Sequence, residues 1–123
     1  MITGVVNGRL EAVVRLRVRV PGGFERDVDT VIDSGFTASL TLSATTVAAL
    51  RLTRQSGGGA VLADGSVRQF DIYAAEVEWN GGWRSVPVSA VGDEALVGMR
   101  LLAGHELRVA VVPGGAVEIT PLP

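Results

Sequence analysis

Apolar and polar residues alternate with a period of two along much of the chain. Leu10, Ala12, Val14, Leu16, Val18 and Val20 interleave with Glu11, Val13, Arg15, Arg17 and Arg19. That alternation predicts a half-buried β-strand with one wet, basic face. Pro21-Gly22-Gly23 ends the strand, and the chain returns as a hairpin through Asp27 to Ile32. A short apolar strand is predicted over Ala38 to Leu42. There the period changes: Ser43 reads as an N-cap and Ala44 to Leu50 as a helix, with Val47 and Leu50 on one face. Two β-branched threonines weaken this helix, so packing must hold it.

Glycine punctuates the second half of the chain. Ser56-Gly57-Gly58-Gly59 reads as a flexible break. Asp64-Gly65 separates Ala60–Ala63 from Ser66–Tyr73, and Asp-Gly between apolar runs predicts a type I′ hairpin. Asn80-Gly81-Gly82 plays the same part between Ala74–Trp79 and Trp83–Val91. Pro113-Gly114-Gly115 does so between Leu107–Val112 and Ala116–Thr120. Met99 to Ala103 reads as a short helical run. Many short strands with regular glycine turns predict an all-β barrel or sandwich carrying one or two short helices.

Composition narrows the class. The 123 residues are 47% hydrophobic and 20% charged, a globular balance for a single domain spanning 1–123. A formal net charge of −2 gives no electrostatic case for nucleic acid or an anionic membrane. Without cysteine there are no disulfides, thiolate chemistry or zinc–thiolate sites. Met1-Ile2-Thr3-Gly4 begins no basic-then-apolar leader, and no apolar stretch approaches the roughly 20 residues of a membrane helix, so a soluble cytoplasmic protein is expected.

The candidate chemistry lies at Val31-Ile32-Asp33-Ser34-Gly35. Two apolar residues anchor a strand end, Asp33 places a carboxylate there, Ser34 supplies a hydroxyl to tie the turn, and Gly35 lets an N–H approach the carboxylate. Some sixty residues on, Leu96-Val97-Gly98 closes an apolar pair on a glycine just before the short helix. Asp-Ser-Gly by itself is also a common turn. Its weight here comes from the ordered set around it.

That set resembles the retroviral-type (retropepsin-like) aspartic protease family, in particular its small single-lobe bacterial members. Gly8 to Val20 resembles the opening strands, and Asp33-Ser34-Gly35 the catalytic loop, where Asp-Thr-Gly is usual and Asp-Ser-Gly an accepted variant. Ala63-Asp64-Gly65-Ser66 looks like the tip of the flap hairpin, and Leu96-Val97-Gly98 like the hydrophobic-hydrophobic-Gly motif. The resemblance implies a closed acid-protease barrel lobe that acts as a homodimer. Asp33 is then the catalytic carboxylate and pairs with Asp33 of a second copy, since the chain holds no second Asp-Ser/Thr-Gly. Ser34 forms a bridge beneath the pair, and Gly35 supports the carboxylate. Ala63, Asp64, Gly65 and Ser66 cover the substrate, while Leu96, Val97 and Gly98 pack against the loop. The implied function is aspartic endopeptidase action on a peptide or protein, with no metal or cofactor. The alternative is a catalytically silent, dimeric peptide-binding or scaffolding module of the same fold. Retroviral enzymes dimerise through their chain ends, and the resemblance implies that role for Met1–Val6 and Val117–Leu122 here. Phe36 departs from the family's usual alanine, and an aspartate stands at the flap tip where no aromatic is present.

The remaining residues read as structure. His105, the one histidine, is expected in a loop after the short helix, with no nucleophile elbow to serve. Arg15, Arg17 and Arg19 read as a solvated or edge-protecting face, an acidic partner or a nucleic-acid backbone being the other reading. Trp79 and Trp83 are expected as a cross-strand pair or a contact surface, and Asp27 and Asp29 as exposed strand residues.

Overall fold

The alternation in the first half does produce the strands it predicts. In a computed structural model that describes residues 1–61 and 63–123, β1 (Ile2–Val6), β2 (Ala12–Arg19) and β3 (Glu25–Ile32) run as antiparallel neighbours in the order β3-β2-β1. Val14, Leu16 and Val18 of β2 turn into the core, while Arg15 and Arg17 face solvent. Leu10 does not join this alternation: it is exposed, with φ 62, in the turn before β2. Then follow β4 (Leu40–Leu42), α1 (Ala44–Leu50), β5 (Thr53–Val61), β6 (Val67–Trp79), β7 (Gly82–Ala90), β8 (Leu96–Val97), α2 (Met99–Leu102), β9 (His105–Val109) and β10 (Ala116–Pro121).

The sheet order is β5-β6-β7-β4-β8-β3-β2-β1-β10-β9, and β2 pairs a second time with β6 through Val18↔Val77 and Arg19↔Glu76. That pairing closes β6, β7, β4, β8, β3 and β2 into a six-stranded barrel. Most pairs are antiparallel; β3–β8 and β4–β7 are parallel. The core includes Leu40, Leu42, Val77, Val88 and Val97, and Val47 and Leu50 of α1 and Leu101 of α2 belong to the same buried cluster. Ser43 caps α1 as expected, its Oγ accepting the Thr46 N–H at 3.2 Å.

Several local readings change. Ser56-Gly57-Gly58-Gly59 is part of β5, with the glycines opposite Asp71, Phe70 and Gln69. Strand pairing uses backbone groups that glycine has, so the neighbour strand overrides its weak β propensity. Leu62, within the strand predicted over Ala60–Ala63, lies outside the described residues. Asp64-Gly65 is not a type I′ turn: Gly65 has φ +85 but Asp64 does not enter the left-handed region, and the pairing resumes only at Val61↔Val67. Asn80-Gly81 is one, with φ 52 and 83 between Trp79↔Gly82. Strand β9 stops at Val109 rather than Val112.

Trp79 and Trp83 are not partners, because Trp83 lies opposite Glu78 and so faces the other side of the sheet. Trp79 is buried and meets His105 edge-on at 5.5 Å between ring centres, while Trp83 carries the Arg19 guanidinium 3.9 Å above its ring. His105 is a strand residue, not a loop one. Its Nδ1 lies 2.9 Å from the Ala103 carbonyl and so donates to it, leaving Nε2 to accept from Trp79 Nε1 at 3.2 Å and from Asn80 Nδ2 at 2.8 Å. The arginine face is not a free basic stripe. Across β2–β3 and β2–β6, Arg15 meets Asp29 at 2.9 Å, Arg17 meets Asp27 at 3.2 Å and Glu25 at 3.3 Å, and Arg19 meets Glu76 at 2.9 Å. The Arg15 hydrogen bond holds Asp29 below the usual carboxylate range. Finally, the chain ends are occupied within the chain: β1 pairs with β10, and β10 also with β9.

Candidate active site

Strand β3 ends at Ile32, and the next residue carries the carboxylate. Two strands fix that point. Val31 pairs with Leu96 and Ile32 with Val97 in the parallel β3–β8 ladder, and the ladder continues one step further as Asp33 N–H donates to the Val97 carbonyl at 2.9 Å. The backbone of Asp33 therefore belongs to the barrel wall even though its side chain reaches beyond the strand.

The turn that follows is self-supporting. Gly35 N–H donates to Asp33 Oδ1 at 2.9 Å, and Phe36 N–H to the Asp33 carbonyl at 3.1 Å. One carboxylate oxygen is thus fixed, and Oδ2 has no hydrogen-bond partner among the described residues. Asp33 is half-buried, while Ser34 and Gly35 are exposed. A carboxylate with one oxygen oriented by an N–H and the other without a protein partner can accept a hydrogen bond from a water.

Gly98 locks this turn to the start of α2. Its N–H donates to the Ser39 carbonyl at 2.9 Å, and Met99 N–H donates to the Phe36 carbonyl at 2.8 Å. Gly98 has φ −100, a value open to any residue, so the need for glycine is space. A Cβ there would sit 2.0 Å from the Ala38 carbonyl oxygen and 2.6 Å from a ring carbon of Phe36. Phe36 thus fills the place against Gly98. Of the residues singled out in the sequence, Asp33, Gly35, Val97 and Gly98 are drawn together, with Leu96 behind them on Val31.

Ala63, Asp64, Gly65 and Ser66 form the tip of the β5–β6 hairpin and make no hydrogen bond to the Asp33 loop among the described residues. Asp64 Oδ1 instead accepts the Ser66 hydroxyl at 2.6 Å and the Ser66 N–H at 2.9 Å. These two bonds hold the Asp64 carboxyl below its usual range.

Thr41 is a site residue that no contiguous motif singles out. Its Oγ1 donates to the Glu94 carbonyl at 3.1 Å and accepts the Leu96 N–H at 3.0 Å, tying β4 to the entry of β8. The one available signal was a polar residue between Leu40 and Leu42 in an apolar run, which must find a partner when buried. Beside the loop, Thr37, Ala38, Ser39, Ile72, Ser89 and Arg100 line a cavity of about 220 Å³ with Pro87. A larger cavity of about 750 Å³ lies elsewhere, walled in part by Arg15, Arg17 and Asp27, where Arg17 is paired with Asp27 and Arg15 with Asp29, and includes no residue of the Asp33 loop. Among the described residues no cluster of His, Asp or Glu is placed to hold a metal ion, and no helix is long and apolar enough to cross a membrane.

No family model matches the chain, and no curated protein matches it. Among solved structures, the fold is similar to that of an EIAV protease complexed with the inhibitor HBY-793. The TM-score is 0.59 at 12% identity, over 75% of this chain and 85% of that one. At that identity the likeness speaks for the fold, a retropepsin-like barrel with two short helices.

Proposed function

We propose that the protein is an aspartic endopeptidase whose active centre is assembled from Asp33 of two copies of the chain. The observation that carries the reading is the held carboxylate: Asp33 lies one residue beyond a barrel strand, with Oδ1 fixed by Gly35 N–H and Oδ2 unpartnered, in a retropepsin-like barrel. One such carboxylate is a base without an acid. A second copy related by a two-fold axis supplies the acid.

Two carboxyls about 3 Å apart cannot both ionise, so the pair holds one proton between them. The ionised Asp33 takes a proton from a water, and the oxygen of that water attacks the scissile carbonyl carbon. The protonated Asp33 gives its proton to the carbonyl oxygen, which leaves a tetrahedral diol. A proton then passes to the amide nitrogen, the C–N bond breaks, and the dyad regains its single shared proton. The substrate enters as an extended strand beneath the β5–β6 hairpin, whose tip is Ala63, Asp64, Gly65 and Ser66. The cavity beside Thr37, Ser39 and Arg100 is positioned to take a substrate side chain.

The test is cleavage of a diverse peptide mixture across about pH 4 to 7, read by mass spectrometry for wild type and Asp33→Asn. The expected result is a set of cuts, bell-shaped in pH, that falls by more than about 10²-fold in the variant. Cuts that survive Asp33→Asn would refute the mechanism. Silence of both proteins, from a folded dimer, would leave the peptide-binding module of the same fold as the better reading.

A further inference from the structure

Strand β9 is one end of the sheet and pairs only with β10 among the described residues. The direction of its free backbone groups follows from that pairing. Ala110 N–H donates to the Ala116 carbonyl, and Leu122 N–H donates to the Gly104 carbonyl. In an antiparallel ladder alternate residues point their N–H and C=O to the same side, so Glu106 and Arg108 also bond toward β10. His105, Leu107 and Val109 therefore present their N–H and C=O groups outward, an unpaired edge of the kind that templates another strand.

The side chains on this edge select its occupant. Leu107 and Val109 pack against the core, while Glu106 and Arg108 stand exposed on the opposite face, 4.0 Å apart in a loose contact. A second β9 laid antiparallel across a two-fold axis at Leu107 puts Glu106 of each copy opposite Arg108 of the other. The same register sets Leu107 against Leu107 and matches outward N–H groups with outward C=O groups. Moving the axis to Glu106 or to Arg108 keeps the hydrogen bonds but sets like charges face to face, which is unfavourable. A slip by half that step pairs outward groups with inward ones and loses the ladder. The edge is thus complementary to itself in one register.

Strand β10 is paired on both sides, by β1 and by β9, so β9 carries the open edge at this end of the sheet. We propose that two copies associate through antiparallel pairing of their β9 strands about Leu107, with reciprocal Glu106–Arg108 contacts. The proposal takes from the protease reading only the need for a second copy. The surface itself rests on strand order, hydrogen-bond direction and charge.

The test uses sedimentation of Glu106→Arg, Arg108→Glu and the combined E106R/R108E protein, each checked for native circular dichroism. Either single reversal is expected to weaken dimerisation by at least about tenfold, and the double exchange to restore it. The absence of native cysteine allows a second readout. Facing residues that do not exchange hydrogen bonds have Cα atoms about 4.5 Å apart, within disulfide range. A mixture of Glu106→Cys and Arg108→Cys chains should form a mixed disulfide under mild oxidation, and neither chain alone should. A monomeric wild type, or dimers indifferent to the reversals and to the mixed cross-link, overturns the surface. If such indifferent dimers still cleave in an Asp33-dependent way, the protease reading stands without it. If the double exchange restores a dimer that cleaves nothing, as wild type does not, the surface stands and the protease reading falls.

Discussion

Gly98 and Gly35 differ in why each is glycine. Neither has a positive φ. At Gly98 a Cβ would lie 2.0 Å from a backbone carbonyl oxygen, whereas at Gly35 it would meet only Asp33 Oδ1, at 3.3 Å. Gly98→Ala is expected to cost about 2–4 kcal/mol, because the clash is with backbone that must move. Gly35→Ala is expected to cost less than about 1 kcal/mol while lowering turnover, since it disturbs the oxygen the N–H orients. Urea denaturation beside peptide cleavage separates the two. Thr41→Val leaves the Glu94 carbonyl and the Leu96 N–H without their partner, an expected loss of about 1–3 kcal/mol by the same urea measurement. At this scale the sequence was legible where the chemistry is contiguous, as in Val31 to Gly35. It was silent at Thr41, whose partners lie more than fifty positions away. It misjudged His105 for the same reason: its partners Trp79 and Asn80 come from another hairpin.

Elements whose ends are set by local chemistry matched their expectations. The helix α1 occupies Ala44–Leu50, with Ser43 as its cap and Val47 and Leu50 buried, as the pattern indicated. Ser43→Ala should lower stability by about 1 kcal/mol, visible as an earlier thermal transition, because the Thr46 N–H loses its acceptor. The Asn80-Gly81 turn was legible for a like reason: both residues take the left-handed region that this dipeptide favours. The glycine run at 57–59 was not, since its strand state comes from β6 beside it and not from its own preference. The arginine stripe shows the limit of reading one strand alone. Its charges are set by the register of β3 and β6, which places an acid across from each of Arg15, Arg17 and Arg19.

For the whole molecule, a retropepsin-like barrel was the expectation and is the architecture found. The period of two and the glycine turns point to β structure, and the ordered motifs narrow it to this barrel. The closure through β2–β6 and the two parallel pairings are invisible to periodicity, because they join distant strands. If each copy carries half of the active centre, activity is a property of concentration. Specific activity should fall on dilution through the dimer dissociation range while circular dichroism of the barrel stays unchanged. A specific activity constant down to monomeric protein would refute a shared centre.

One pairing sets a schedule. The turn around Asp33 is held by residues 95 to 98, through the Ala95 and Val97 carbonyls and the Gly98 contact. During synthesis a ribosome makes Asp33-Ser34-Gly35 long before it makes those braces. A nascent or truncated chain that stops short of Ala95 has the carboxylate but nothing to hold it in place. Such a chain should be inert toward its neighbours and toward itself until residues 95 to 98 have been made.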